Sequence, residues 1–135
     1  DAPSPIVLQR LDLAEQRVDA LDDPEVRALM YSHLARLQTR VGRDVRAERN
    51  FGLALEGARI ARLESRDLMH ATIAVDQAYA LDLAAARATA ELIGEQILKD
   101  ELLAVLQTIA DTQATSGLTD PSYAVPVAAT ETAAR

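Results

Sequence analysis

The chain repeats itself. Residues 27–35 read RALMYSHLA and residues 66–74 read RDLMHATIA, so Arg, Leu, Met and Ala recur at an offset of 39 residues and Leu34 is answered by Ile73. Any two amphipathic helices share a period, but four identities in nine residues go beyond a shared period. At the same offset Ala47, Phe51 and Ala54 fall on Ala86, Ala90 and Ile93, and Gly42 falls on Leu81. A third copy follows: IADTQA (109–114) echoes IAVDQA (73–78), and Gly117 stands where Gly42 did. A single helix hairpin cannot cover its own apolar face, so copies that recur every 36 to 39 residues must bury one another.

Local signals place the helices. Asp23 is suited to cap a helix that has Pro24 in its first turn, Gly42 after its end, and a stripe Met30, Leu34, Leu37, Val41. The next helix starts at Asp44 with the stripe Ala47, Phe51, Ala54, Ala58, Ala61. Ser65 is expected to cap a third helix carrying Met69, Ile73 and Ala80, and Asp82 a fourth carrying Ala86, Ala90, Ile93 and Ile97. The opening segment, with Val7, Leu11, Ala14, Val18 and Leu21, has the 4-3-4-3 spacing of the second helix of a hairpin. Phe51, the one large ring in that stripe, is expected to be nearly fully buried.

The fold class that follows is all-α, with antiparallel helix-hairpin repeats stacked as a short solenoid. Residues 1–117 form one helical-repeat domain: a half repeat (5–22), two repeats (24–62 and 65–98) and the first helix of a third (100–116). Residues 118–135, with Pro121 and Pro126, are expected to be a flexible insert and a partial last helix. Composition agrees, since alanine fills 26 of 135 positions and there is no Trp and one Phe. Such a core relies on close helix contacts rather than large rings. Without cysteine there is no disulfide or thiolate metal site. Asp1 fits either the cleaved end of a secretory leader or a cut from a longer chain, so the compartment stays open between periplasmic or secreted and cytoplasmic.

The second copy resembles the tetratricopeptide (TPR) repeat family. Tyr31, Leu34 and Ala35 in its first helix, Gly42 at the turn, and Ala47, Phe51 and Ala54 in its second helix fill that family's packing positions. The later copies, with Ile73-Ala74, Gln77-Ala78, Thr89-Ala90 and Ile93, are similar to the Ala-rich bacterial type. Leu81 in place of the turn glycine and the insert in the third copy depart from the pattern. The resemblance implies a non-catalytic protein-interaction or assembly scaffold, with first helices lining a groove. An all-α bundle holding a small ligand between its helices is the alternative, to be recognised by a closed apolar pocket.

Charge is uneven: residues 1–26 carry −5, residues 27–66 carry +5 and residues 67–135 carry −7. The net charge of −7 disfavours nucleic acid and anionic membrane, and no apolar run is long enough to span a bilayer. Arg36 and Arg40, four residues apart, share a helix face, and Arg43 follows at the turn. With His33 they form the candidate partner-binding residues, suited to a protein or peptide of acidic character. No nucleophile turn, phosphate loop or paired metal ligand appears, so neither catalysis nor a cofactor is expected. Asp22–Asp23 and Asp100–Glu101 read as helix-start charges. Uncovered end faces, together with a positive middle facing a negative end, predict homo-oligomers.

Overall fold

The structure, a computed structural model, describes residues 2–117; the expected insert and partial helix in 118–135 lie outside them. Among the described residues the chain is all-helical: α1 (Pro5–Asp19), α2 (Pro24–Arg40), α3 (Asp44–Ile60), α4 (Leu63–Tyr79), α5 (Leu83–Ala90) and α6 (Gln96–Thr115).

Helix starts follow capping chemistry. Ser4, Asp23 and Asp82 accept backbone N–H groups at the heads of α1, α2 and α5, as side-chain caps should. Three boundaries differ from the expectation. α4 begins at Leu63, ahead of Ser65, with Arg62 at its cap and no side-chain bond there. The fourth helix stops at Ala90: Ile93 is buried beyond its end, whereas Ile97 is exposed and belongs to α6. α6 starts at Gln96 under the Glu95 carboxylate, so Asp100 and Glu101 lie inside the helix rather than at its head. The α5–α6 link is held from afar, because Asp67 accepts from the backbone N–H of Gly94 (3.0 Å) and Glu95 (3.1 Å).

α2 packs chiefly on α3 and α4 on α5; α2 also lies beside α4, and α4 beside α6. α1 also packs on α2. One core cluster joins Leu11, Val18, Tyr31, Leu34, Ala54 and Ile73, and a second joins Ala74, Leu83, Ala86, Ile93 and Leu106. α4 contributes to both. Ile73, Ile93 and Leu106 are the largest fully buried apolar side chains, each contributing roughly 1.5–3 kcal/mol. Elsewhere small residues let backbones approach: a methyl added at Gly57 of α3 would lie 2.4 Å from Ala28 Cβ of α2.

The 39-residue offset recurs in geometry. Asn50 donates to buried Gln38 Oε1 (2.7 Å) between α2 and α3, and Thr89 donates to buried Gln77 Oε1 (2.6 Å) between α4 and α5. Four residues after each of those glutamines the backbone turns left-handed, at Gly42 (φ 80°) and at Leu81 (φ 66°); Gly117 (φ 79°) does the same after Gln113. The first two turns close alike, with the Arg43 and Asp82 N–H groups returning to the Gln38 and Gln77 carbonyls.

Two packing expectations are corrected. Met30 and Leu37 are exposed, because α2 turns Ala28, Tyr31, Ala35 and Gln38 inward instead. Only Leu34 of that stripe is fully buried, with Val41 packed partly against the core. Phe51 is half-buried at the edge of the first cluster, since alanines on either side of it take the tightest contacts.

Candidate functional site

The seam between α2 and α4 is built around one buried carboxylate. Asp76, 2% exposed, accepts from Ser32 Oγ at 2.8 Å and lies 2.7 Å from His33 Nδ1 and 3.4 Å from an Arg36 guanidinium nitrogen. Arg36 is also stacked over the Tyr79 ring, 4.1 Å from its centroid. At the head of the same seam Arg62 grips Glu25 with two side-chain nitrogens (3.1 and 3.2 Å) and its backbone N–H (3.1 Å). These bonds hold the Glu25 carboxyl down at about 2. Contacts at both the head and the tail of the two helices make them run parallel.

Outer faces flank this seam. On α4, Leu68, Ala71, Val75 and Tyr79 follow helical spacing; Leu68 is exposed, and the other three are half-buried and packed against the second core cluster. Arg36 borders them on α2 over the Tyr79 ring, while Arg40 lies by Ser4, Val7 and Asp44.

Of the four residues singled out in the sequence, the structure brings His33 and Arg36 together at Asp76. Arg40 lies one turn further along α2, exposed. Arg43 goes elsewhere: it and Arg46 both bond Asp12 of α1, while Arg49 reaches Glu15 at 3.1 Å. The hydrogen bond from Arg43, with that from Arg46, keeps the Asp12 carboxyl below its ordinary range despite some desolvation. The arginine run is therefore divided between two seams, and the positive middle is largely answered by the acidic first helix of its own chain. Of that series, Arg40 has no such partner among the described residues.

Asp76 and Tyr79 were not singled out from sequence. A signal existed: Asp76 sits three residues after Ile73 on a stripe otherwise apolar, and a carboxylate there requires donors. Ser32, Asp76 and His33 are arranged with the carboxylate in the middle, and Ser32 is fully buried. The imidazole does not stand against the hydroxyl, so this is not the order in which a histidine activates a serine.

Another histidine is placed differently. His70, in α4, is the repeat equivalent of Tyr31, whose hydroxyl donates to Asp19. At the position equivalent to Asp19 the next copy has Arg59, which pairs with Glu56, and His70 Nδ1 is buried with no hydrogen-bond partner among the described residues. Burial lowers its pKa. Tyr31 is shifted upward, first by burial and then by its bond to Asp19.

The depressions on the described surface are open to solvent and lined by charge. One of about 540 Å³ lies among Asp12, Glu15, Asp19, Arg46 and Arg49. Another of about 720 Å³ lies among Ser4, Val7, Arg40 and Asp44. A third, of about 400 Å³, lies among Pro24, Glu25, Gly57, Ile60 and Arg62, and all three mix charged with apolar lining instead of forming the closed apolar pocket of the small-ligand alternative. No group of three or more His, Cys, Asp or Glu suited to a metal ion occurs among the described residues, and no described helix is long and apolar enough to cross a membrane. Compared with protein-family models, curated proteins and solved structures, the chain matches none of them.

Proposed function

We propose that this chain is a non-catalytic protein-interaction module in which TPR-like hairpins α2–α3 and α4–α5, with α6 opening a third, stack with their first helices side by side. The parallel α2–α4 seam, the paired Gln38–Asn50 and Gln77–Thr89 bonds and the left-handed residues at 42 and 81 support that stacking. The groove is then the outer face of the first helices.

One observation carries the functional reading: exposed Leu68 continues along α4 into the half-buried Ala71, Val75 and Tyr79, and Arg36 of α2 is stacked over the Tyr79 ring. Because Arg36 is held by Asp76 and Tyr79, its guanidinium is fixed in place before any partner arrives, and little order remains to be lost on binding. Arg40 is the cation free to meet a carboxylate. The fitting occupant is a short peptide segment with apolar anchors and an acidic residue at the α2 side.

Selection of a displayed random-peptide library on the full chain tests this reading. Enriched peptides should carry that pattern, lose binding to Leu68→Glu and keep binding to Val45→Glu, a more exposed site on α3. Enrichment that is indifferent to Leu68→Glu would place the interaction surface elsewhere.

A further inference from the structure

Repeat-equivalent positions differ in burial at the two ends of the molecule, and the differences fit one another. Met69 and Asp76 of α4 are 3% and 2% exposed, while their equivalents on α2, Met30 and Leu37, are 37% and 49% exposed. α4 has α2 beside it; no described helix lies on the corresponding side of α2. On α6 the equivalents of Ala28, Ala35 and Gln38 are Leu103, Ala110 and Gln113. The α2 residues are buried under α3, and the α6 residues are left half-buried. On α1 the positions equivalent to Asn50 and Gly57, which face α2 from α3, are Arg10 and Arg17, both exposed.

The uncovered faces are opposite in charge. Arg10, Arg17 and Arg40 have no ion-pair or hydrogen-bond partner among the described residues. On α6 the carboxylates Asp100 and Asp111 are bonded only by the neutral amides of Gln96 and Gln107.

We propose that α6 of one copy docks into the uncovered face formed by α1 and α2 of a second copy, so that the chain associates head to tail. This rests on the stacked-hairpin reading given above. Transferring the α2–α4 seam onto the new contact puts Asp111, the equivalent of Arg36, beside Leu37 and Arg40 of the second copy, the equivalents of Asp76 and Tyr79. Transferring the α2–α3 contact puts Gln113 and Leu103 beside Arg10 and Arg17. Arg17 stands where Gly57 permits close approach, so α1 sits further from α6 than α3 does from α2, and charge matters more than nesting. A heterologous contact of this kind leaves a free face at each end and does not close as a twofold dimer would.

Sedimentation of the full chain over a range of concentrations tests the proposal, with circular dichroism to verify that each variant is folded. Wild type should form a ladder of species at high concentration. Arg10→Glu/Arg40→Glu and Asp111→Lys change only exposed side chains, and each should weaken association roughly tenfold or more by placing like charges together. Mixing the two variants should restore association, because each keeps one wild-type face. A twofold contact between α1 faces would not be rescued by mixing and would overturn the proposal. A strict monomer would also overturn it, and is the result expected if residues 118–135 of the same chain cover α6. Peptide binding at Leu68 that persists in such a monomer would leave the groove reading intact and separate the two failures.

Discussion

The hairpins α2–α3 and α4–α5 share a plan and differ in what fills it. In the first, two 17-residue helices meet across Gln38–Asn50, the turn residue is Gly42, and Glu15 of α1 joins the polar contact from outside. In the second, a 17-residue helix meets one of only eight residues, the turn residue is Leu81, and a single Thr89–Gln77 bond crosses the interior. What persists is a buried glutamine four residues ahead of a left-handed residue. The plan is therefore fixed by backbone closure and one amide anchor, while helix length and ring content vary around it.

The largest expected effect separates core from rim. Ile73→Ala should cost about 2–5 kcal/mol, since the side chain is fully buried in α4, the helix shared by both clusters. Phe51→Ala, at the half-exposed edge of the first hairpin, should cost only roughly 1–3 kcal/mol. Denaturant midpoints measure both, and a larger loss at Phe51 would reverse the ranking of the two sites.

Next comes the close approach that belongs to the first hairpin alone. Gly57→Ala should destabilise by about 1–3 kcal/mol, because the new methyl meets Ala28 at 2.4 Å and neither backbone can withdraw freely. Gly52→Ala, five residues earlier on an open face of α3, should stabilise by about 0.5–1 kcal/mol through helix propensity. Equal effects of one sign in thermal melts would mean that α3 does not approach α2 so closely.

Making the second turn like the first should have a smaller effect. Leu81 holds a left-handed conformation that costs an L-residue roughly 1–2 kcal/mol. Leu81→Gly should therefore stabilise by up to about 1 kcal/mol after the entropy lost by glycine is subtracted. The corresponding change at the first turn, Gly42→Leu, should be destabilising.

Narrowest in scope is a contrast in pH response at equivalent positions. His70 has a lowered pKa, so below about 6.5 the unfolded chain binds the proton first and stability falls with pH; above that value this contribution is constant. Tyr31 has a raised pKa, so above about 10 the unfolded chain loses the proton first and stability falls as pH rises. His70→Leu should flatten the acid limb of a stability–pH profile, and Tyr31→Phe the alkaline limb. An acid limb unchanged by His70→Leu would assign it to other groups.

Much of this comparison was legible in the sequence. The Gly42–Leu81 equivalence, the caps at Asp23 and Asp82, and the stripes of α3 and α4 could be read from spacing alone. The inward face of α2 could not. Met30–Leu34–Leu37 has the same spacing as its true inner face, in which Ser32 and Gln38, polar residues that hydropathy does not mark as core, are buried beside Ala28, Tyr31, Leu34 and Ala35. The early end of α5 was hidden because Ile93 and Ile97 prolong its apolar period past Ala90, although Gly94 and the capping Glu95 signal a new start. The division of the arginines between Asp76 and the acids of α1 was also out of reach, because partners 31 to 40 residues away are set by packing and not by local pattern.

The buried Asp76 also has a mechanical consequence. Sliding α4 along α2 by one helical turn, about 5.4 Å, would separate the carboxylate from Ser32, His33 and Arg36 together and strand a charge away from water. Between α4 and α6 the Gln113 amide bonds the Ala78 carbonyl at 3.0 Å, and the Asp67 carboxylate of α4 holds the Gly94 and Glu95 N–H groups at the head of α6. The α2–α4 joint therefore acts as a splice locked against axial sliding.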